Sequence, residues 1–426
     1  MNDVSYDVLI IGGGPAGSCA AALARKQNLR TLVVEKTAFP RFRIGESLLP
    51  MGNGILREIG AWEKVRNAGF IPKYGADFHT SDGASSKHVV FSEGLIPGLE
   101  SAFQVERSRF DELLLNHARE HGAEVRMETA VTHVESSERG NRVTLVQNSR
   151  EQIVNATWVL DGTGRETSLM TEQKSQLDPS LFPKRMAIFS QFTGVRRSEG
   201  RAAGNIHVVR IDDGWFWLIP LDEQRTSVGL VTTVSSFRDA KKSPEAFFNR
   251  AIANSPKLRE FLTDTASTMP FQVVSDYSYF RKTLARERLM LIGDAAGFFD
   301  PIFSSGVYMA MLSAKQAIAL IAKAHRESRP LHTSERRRYT TSLKRHASVF
   351  QRLIAAFYDD DSFEVFMCQQ IPWDLSRGMT SIVAGHAQLT WPLWWRFQFF
   401  LLVCRIQRHW KIVKPEHIRT ATLAEA

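Results

Sequence analysis

A glycine-rich turn between a short apolar strand and a run of small residues constrains the fold of this chain more than any other feature. Residues 6–11 read Tyr-Asp-Val-Leu-Ile-Ile, and the turn that follows contains Gly12, Gly14 and Gly17. This order predicts a strand, a tight turn and a helix. Gly12 permits the turn, Gly14 lets a phosphate approach the backbone, and Gly17 lets the helix pack on the strand. The sequence therefore predicts the βαβ start of a dinucleotide-binding fold, with pyrophosphate at the helix N-terminus.

An acidic residue after the next predicted strand adds a second nucleotide signal. Residues 31–34 read Thr-Leu-Val-Val and are followed by Glu35, at about the separation of 20 residues that is typical of ribose recognition. The Glu35 carboxylate can accept hydrogen bonds from both hydroxyls of an adenosine ribose. A glycine-rich turn without a ligand is the alternative, and the complete order of strand, turn, helix, strand and acid argues against it.

Two later stretches again place a predicted strand before a glycine turn. The region between these two stretches alternates between apolar and polar residues instead. One ends in Asp161 and a glycine turn, and the other places Asp294 at the end of a strand. From about 185 to 275, alternating residues predict an antiparallel sheet. We therefore expect an α/β fold over residues 1–330, with this sheet inserted as a substrate layer, and a helical region over residues 331–426.

Charge and cysteine content narrow the class of protein. The formal net charge of +9 is compatible with nucleic acid, a membrane surface or an acidic partner, and basic clusters occur at residues 336–338 and 344–345. Basic and aromatic residues do not interleave as in a base-stacking platform, so nucleic acid is the weaker interpretation. The three cysteines have no metal or disulfide spacing. This spacing predicts no bound metal. The first strand begins too early for a signal peptide, so we expect a cytoplasmic protein.

Taken in order, these motifs resemble a known family. The first group is similar to the two-domain FAD fold of the para-hydroxybenzoate hydroxylase type: the Gly12 turn, Glu35, the Asp161 turn and the Asp294 strand end. Three further stretches narrow the resemblance: residues 44–50 (Ile-Gly-Glu-Ser-Leu-Leu-Pro), 73–78 (Lys-Tyr-Gly-Ala-Asp-Phe) and 214–220 (Gly-Trp-Phe-Trp-Leu-Ile-Pro). Together they resemble the flavin-dependent halogenases, in particular the branch that acts on pyrroles and phenols.

The resemblance implies a Rossmann-like FAD-binding domain with an inserted antiparallel-sheet substrate domain and a helical C-terminal region. It implies FAD contacts for residues spread over the first domain: Gly12, Gly14, Pro15, Ala16, Gly17, Glu35, Arg41, Glu46, Ser47, Arg107, Asp161, Asp276, Asp294 and Pro301. For Asp276 the family also allows an ester to the flavin ring. An ordinary hydrogen-bonded carboxylate beside the ring is the alternative that we favour.

The implied chemistry separates formation of the oxidant from modification of the substrate. Reduced FAD, oxygen and halide give hypohalous acid, which travels to a substrate held apart from the flavin. Lys73 matches the family's lysine, which holds the oxidant or is itself halogenated as a neutral amine. Burial would lower the pKa of Lys73 and favour the second route. A solvated surface lysine is the alternative.

Two tryptophans are candidates for the barrier between flavin and substrate. Trp215 and Trp217 alternate around Phe216, so a strand would present both indoles on one face. The resemblance implies that they keep the substrate ring away from the flavin and thereby prevent hydroxylation. Ordinary core packing is the alternative.

The stretch from Pro301 to Gly306 should precede a helix. Amides at a helix N-terminus are free to bind an anion, and the resemblance implies chloride or bromide on those of Ser305 and Gly306. A helix cap by a hydroxyl of Ser304 or Ser305 is the alternative. Tryptophan halogenases carry a catalytic glutamate where this chain has Phe303, which favours a ring that is already activated, such as a phenol or a pyrrole.

The C-terminal region ends in an aromatic segment. Residues 389–404 form an apolar stretch that Arg396 interrupts, which is too short for a membrane span of about 20 residues. A lid over the substrate tunnel and an interfacial helix are the two alternatives, and we favour the lid.

We therefore expect an FAD-dependent halogenase that receives reduced FAD from a separate flavin reductase. It would chlorinate or brominate an electron-rich aromatic ring in antibiotic or other secondary-metabolite biosynthesis. The ring would be free or tethered to an acyl or peptidyl carrier protein, and an acidic carrier would dock on the basic clusters. The alternatives are an aromatic hydroxylase on the same fold and a flavin-bound binding or membrane-docking protein without turnover.

Overall fold

The computed structural model describes residues 5–166, 183–275, 279–369 and 373–414. Its strands are β1 (Ser5–Ile11), β2 (Thr31–Val34), β3 (Ile71–Lys73), β4 (Gly75–Thr80), β5 (Ser86–Val90), β6 (Ala102–Gln104), β7 (Glu124–Arg126), β8 (Thr129–Ser137), β9 (Gly140–Gln147), β10 (Arg150–Asp161), β11 (Arg185–Thr193), β12 (Ile206–Ile211), β13 (Gly214–Pro220), β14 (Arg225–Thr233), β15 (Ala266–Ser267), β16 (Gln272–Ser275), β17 (Tyr279–Phe280), β18 (Leu289–Leu291) and β19 (Gly297–Phe298). Its helices are α1 (Pro15–Lys26), α2 (Gly52–Ile59), α3 (Trp62–Arg66), α4 (Arg107–Glu120), α5 (Val234–Ala240), α6 (Pro244–Ala253), α7 (Pro256–Leu262), α8 (Gly306–Arg326), α9 (Thr333–Tyr358), α10 (Asp360–Met367), α11 (Leu375–Val383) and α12 (Trp391–Trp410).

The first sheet has the strand order β7-β2-β1-β10-β9-β8, and β18 pairs with β10. Strands β7, β2, β1, β10 and β18 run parallel, whereas β10, β9 and β8 form an antiparallel meander. Every residue of β2 is buried, as expected for a parallel strand covered on both faces. The carboxyl ends of β1, β10 and β18 meet at one edge of this sheet, and this edge carries the predicted nucleotide residues.

Two helices rich in small residues pack together on this sheet. Helix α1 contains a nearly continuous run of buried alanines and packs against α8. Helix α8 has three buried alanines on one face, Ala310, Ala314 and Ala317. Small side chains let the two helices approach closely. Helix α8 is the one helix in the described ranges that is long and apolar enough to cross a membrane, and 61% of that apolar window is buried inside the protein. Helix α8 is therefore a core helix of this protein.

The second sheet has eight strands in the order β15-β11-β14-β13-β12-β4-β5, with β16 paired to β11. Pairing is antiparallel except between β12 and β4. The sequence predicted the strands between residues 185 and 275. It did not predict that β4 and β5, which lie a hundred residues earlier along the chain, extend the same sheet.

The second sheet separates two cores. One face belongs to the main hydrophobic core, which includes Trp215 and Trp217. The other face carries Phe216 and packs under α6 and α7, where Phe248 and Phe261 complete a smaller core.

Four helices after α8 form the predicted helical C-terminal region. Helix α12 buries Leu393, Phe397, Phe400 and Cys404, a spacing that lines one face of a helix. Its exposed side retains large apolar groups, among them Trp391 and Trp410.

Candidate active site

The glycine turn has the geometry that the sequence predicts. Gly12 has a φ of 99°, and a Cβ at Gly12 would lie 2.4 Å from the carbonyl oxygen of Gly162. A Cβ at Gly17 would lie 1.9 Å from the carbonyl oxygen of Gly12. Both positions therefore exclude any other residue. Gly14 is the N-cap of α1 and supplies no side-chain cap. Pro15 has no N–H, so the amides of the first turn that are available to an anion are those of Ala16 and Gly17.

Glu35 lies directly beneath this turn. Its Oε2 accepts a hydrogen bond from the Gly13 amide at 2.8 Å, and its Oε1 accepts from the amide and hydroxyl of Thr37 at 3.0 and 2.8 Å. An ionised carboxylate has about four acceptor positions. These contacts fix the orientation of Glu35 and leave acceptor capacity for a ribose hydroxyl.

Two arginines beside the turn share one buried acid. Arg107 donates to Asp111 through Nε and Nη2 at 2.8 and 3.0 Å, and Arg41 approaches the same carboxylate at 3.3 Å. Arg41 Nη2 also lies 3.4 Å from the position of a Cβ on Gly14. Arg41 Nη2 also lies 4.0 Å from Glu35 Oε2. The two guanidinium groups place charge-assisted N–H donors next to the N-terminus of α1, which suits a pyrophosphate. The sequence predicted both arginines and did not predict the role of Asp111.

Three further predicted acids lie at strand ends or in the connecting loop. Asp161 Oδ1 accepts from the amide and hydroxyl of Thr163 at 3.0 and 2.7 Å, and its buried Oδ2 has no hydrogen-bond partner within the described residues.

Asp294 is half-buried, and burial raises its pKa to about 6 against the opposing effect of Arg107. Burial also raises the pKa of Glu46, whose carboxylate accepts from the Gly45 amide at 3.0 Å. Pro301 is half-buried and begins the short 3₁₀ turn that precedes α8.

Lys73 is buried, and its surroundings lower the pKa of its amine. Its side chain is 1% exposed, and the amine donates to the Ser47 hydroxyl at 2.9 Å and to the Leu48 carbonyl at 3.1 Å. The Phe91 ring lies 5.3 Å from the nitrogen. Burial lowers the pKa of Lys73 to about 7. The alternative of a solvated surface lysine is therefore wrong, and Ser47, predicted as a flavin contact, positions the lysine.

The two tryptophans share one face of β13, as predicted. Their ring centroids are 5.9 Å apart, and both side chains are at least 95% buried. Phe216 points to the opposite core, where its ring lies 5.1 Å from that of Phe248. The Trp217 indole donates to the Ser227 hydroxyl at 3.1 Å.

A buried hydrogen-bond network that the sequence did not reveal connects Trp215 to the loop before α8. The Trp215 indole donates to the Tyr358 hydroxyl at 2.7 Å, and that hydroxyl donates to Asp300 Oδ2 at 2.6 Å. Arg185 stacks on the Tyr358 ring at 3.5 Å, and its Nε lies 3.8 Å from the Asp300 carboxylate. Tyr358 is the last residue of α9, so one residue of the C-terminal region connects Trp215 to that loop.

The loop before α8 leaves the helix N-terminus open. Ser304 adopts a left-handed conformation with a φ of 55°, and Ser305 is the buried N-cap of α8. The Ser305 side chain makes no cap hydrogen bond, so the structure does not support the alternative in which this hydroxyl caps the helix. The amides of Ser305 and Gly306 precede the body of a 21-residue helix whose dipole favours an anion.

Phe303 lies in a cluster of four buried phenylalanines, which we call the phenylalanine cluster: Phe78, Phe303, Phe357 and Phe366. The Phe303 centroid is 6.0 to 6.3 Å from those of the other three rings. Phe78 and Phe366 are in edge contact at 4.9 Å. The position at which tryptophan halogenases place a carboxylate is therefore apolar and surrounded by aromatic rings. Asp276 lies outside the described residues.

The donor set and the open backbone fit FAD and a halide. The glycine cradle, the uncapped α1 and the cationic pair match a pyrophosphate, and Glu35 matches a ribose. When bound, reduced flavin would supply the electrons that convert oxygen and halide to a hypohalous oxidant, and the residues above are the candidates to bind and orient it.

Comparisons with known proteins show the family to which this chain belongs. The tryptophan halogenase family model matches residues 7–94 and 83–364. The chain is 34% identical over 347 residues to the 1H-pyrrole-2-carbonyl-(peptidyl-carrier protein) chlorinase of Pseudomonas fluorescens, a match that covers 76% of this chain and 77% of that protein.

Solved structures agree as well. The flavin-dependent brominase Bmp2 superposes with a TM-score of 0.84 at 27% identity, covering 95% of this chain and 99% of that one. A flavoprotein/dehydrogenase from Cytophaga hutchinsonii superposes with a TM-score of 0.86 at 28% identity, covering 95% and 99%. The chain therefore belongs to the flavin-dependent halogenases, enzymes that use FAD and a halide.

Proposed function

We propose that this halogenase chlorinates or brominates a phenol or a pyrrole, and that Lys73 delivers the halogen. The observation that carries the proposal is the buried amine of Lys73, which no solvent shell stabilises as a cation. With a pKa near 7, both the ammonium and the amine forms exist at neutral pH. The ammonium form donates a hydrogen bond to the oxygen of hypohalous acid. The ring then attacks the halogen, and the hydroxide and the ring proton leave as water.

The surrounding residues divide the remaining tasks. The Ser305 and Gly306 amides hold the halide, and the paired tryptophans keep the substrate ring from the flavin. In this proposal the substrate chamber lies beneath the C-terminal helices, which act as its lid. Phe303 offers no carboxylate to remove a proton, so the ring must be electron-rich without assistance.

Product analysis tests this function. The protein is supplied with FAD, oxygen, NADH, a flavin reductase and chloride or bromide, and a panel of phenols and pyrroles is assayed with tryptophan as the comparison. We expect the isotope pattern of chlorine or bromine in the product of a phenol or a pyrrole. A hydroxylated product formed independently of halide would favour the hydroxylase alternative. In this proposal a separate reductase reduces the flavin. Omission of the reductase should therefore abolish product formation, and chemically reduced FAD should restore product formation.

We further propose that the ring arrives on an acidic carrier protein. One relative's name specifies a pyrrole on a peptidyl carrier protein. Of the basic clusters, Arg337, Arg338 and Arg345 are exposed on α9, whereas Arg336 pairs with Glu287 and Lys344 lies over the Phe280 ring. The three exposed arginines are the proposed docking surface, since complementary charge speeds association.

Charge reversal separates this carrier proposal from a diffusible substrate. Turnover of the carrier-bound ring is compared with that of the free acid at low and high salt. Changing Arg337, Arg338 and Arg345 to Glu should slow the carrier-bound ring by at least about tenfold at low salt and leave the free acid unaffected. A matched control reverses the exposed Arg139, Arg150 and Lys242, which changes the net charge equally. Unchanged turnover of the carrier-bound ring by the α9 variant at low salt would reject the docking surface.

A further inference from the structure

A cluster of metal-ligating side chains lies at the C-terminal end of α4. One ring nitrogen of His117, one of His121 and one carboxylate oxygen of Glu120 all lie within 4.8 Å of one another. Arg107 and Asp111 are on the same helix, and at 1.5 Å per residue the first of them is roughly 15 Å away along its axis. The cluster is therefore separate from the FAD site.

His117 supplies the strongest sign of a missing ligand. Its side chain is 1% exposed, and its Nε2 lies 2.9 Å from the Ile59 carbonyl oxygen. Because a carbonyl can only accept, Nε2 carries the proton and Nδ1 carries a lone pair. Nδ1 is buried and has no hydrogen-bond partner among the described residues. A buried acceptor without a partner destabilises the fold, and a metal ion would remove that cost.

His121 and Glu120 complete the arrangement. His121 Nδ1 lies 2.7 Å from the His117 carbonyl oxygen, so Nδ1 donates and Nε2 keeps its lone pair. Each histidine thus donates one N–H to a backbone carbonyl, which is the arrangement that orients metal-bound histidines. Glu120 contacts Lys64 through Oε2. The C-terminal end of a helix favours a cation.

We propose that His117, Glu120 and His121 bind a divalent transition-metal ion of the zinc class. The ligands are His117 Nδ1, a carboxylate oxygen of Glu120 and His121 Nε2, and water completes a tetrahedral site. Glu120 exchanges its contact with Lys64 for the ion. Because His117 is also bonded to Ile59, the last residue of α2, the ion stabilises the packing of α4 on α2. It takes no part in halogen transfer.

The test measures zinc binding by untagged protein that retains FAD and has been treated with a chelator. Equilibrium dialysis with ZnCl₂ should give one high-affinity ion per chain, and Zn²⁺ should raise the thermal unfolding midpoint where Mg²⁺ does not. His121→Ala and Glu120→Gln lie at the surface and should fold. Each should weaken zinc binding at least tenfold without changing halogenation.

A matched control distinguishes this site from general surface binding. His133 and Glu135 on β8 form an exposed pair with 3.9 Å between Nε2 and Oε1. His133→Ala should bind zinc as the parent does. The proposal is overturned if the parent binds no stoichiometric zinc, if His121→Ala binds it as tightly as the parent, or if His133→Ala loses it equally.

Discussion

Replacing Lys73 with methionine should stabilise the protein at neutral pH and abolish halogenation. The Lys73 side chain is slightly longer than that of methionine and lies in a buried position. Methionine would fill much of the same volume without a charge. Two hydrogen bonds, to Ser47 and to the Leu48 carbonyl, would be lost.

The size of the effect follows from the pKa. Burial lowers the pKa of Lys73 from 10.5 to about 7, and each unit corresponds to about 1.4 kcal/mol. Between pH 7 and 10.5 the unfolded lysine holds its proton while the folded one has released it, so the stability of the parent rises with pH. Below pH 7 the unfavourable contribution of Lys73 approaches about 5 kcal/mol. The lost hydrogen bonds cost roughly 1–3 kcal/mol, which leaves Lys73→Met more stable by about 2–4 kcal/mol at pH 7.

The assay is urea unfolding of the parent and Lys73→Met at pH values from 7 to 10. The advantage of the variant should shrink by about 1.4 kcal/mol per pH unit and reverse between about pH 8.5 and 10. The exposed Lys242, changed to Met, serves as the control and should show no such dependence. Product formation and flavin reoxidation are measured separately, and only product formation should disappear.

Two results would refute the reasoning. Parallel stability curves for the parent and Lys73→Met would show that burial does not alter the protonation of this lysine. Halogenation at the parent rate by Lys73→Met would remove the amine from the mechanism.

Three other substitutions test the cofactor site and the buried network. Circular dichroism with thermal melting should show that Gly17→Ala does not fold, because its Cβ would overlap the Gly12 carbonyl. In the control Gly54→Ala on α2, the added Cβ would meet no other described segment within 4 Å, so this change should stabilise the protein by up to about 1 kcal/mol. Glu35→Gln should weaken FAD binding at least about tenfold in fluorescence titrations because a strong acceptor for the ribose is lost, and the exposed Glu63→Gln should not. Tyr358→Phe removes the hydroxyl between the Trp215 indole and the Asp300 carboxylate, so it should cost roughly 1–3 kcal/mol of stability and yield less product per flavin oxidised; unchanged coupling would confine Tyr358 to a structural role.

Local patterns made much of the cofactor site predictable. The glycine turn, the acid after β2 and the tryptophans of β13 depend on backbone geometry over a few residues, and the structure places them as the sequence indicates. The exposure of Lys73 could not be decided from its neighbours in the sequence. It depends on Ser47 and Phe91, which other parts of the chain bring to it.

Contacts between distant segments were not predictable from one sequence. Tyr358 and Asp300 are 58 residues apart and read separately as an aromatic helix residue and a loop acid. Strands β4 and β5 alternate like many others, and nothing local indicates that β4 pairs in parallel with β12. The unused cap at Ser305 depends on a side-chain rotamer that composition does not specify.

The phenylalanine cluster limits how substrate preference can be exchanged between relatives. Phe78 comes from β4 and Phe303 from the loop before α8, whereas Phe357 and Phe366 come from α9 and α10. A chimaera that takes its C-terminal helices from another halogenase would replace two of these rings and keep the other two, so the contact surface would be mismatched in a close-packed interior. The transferable unit is the set of four rings, contributed by three separate stretches of the chain, and grafts that move all four together should keep the loop before α8 ordered.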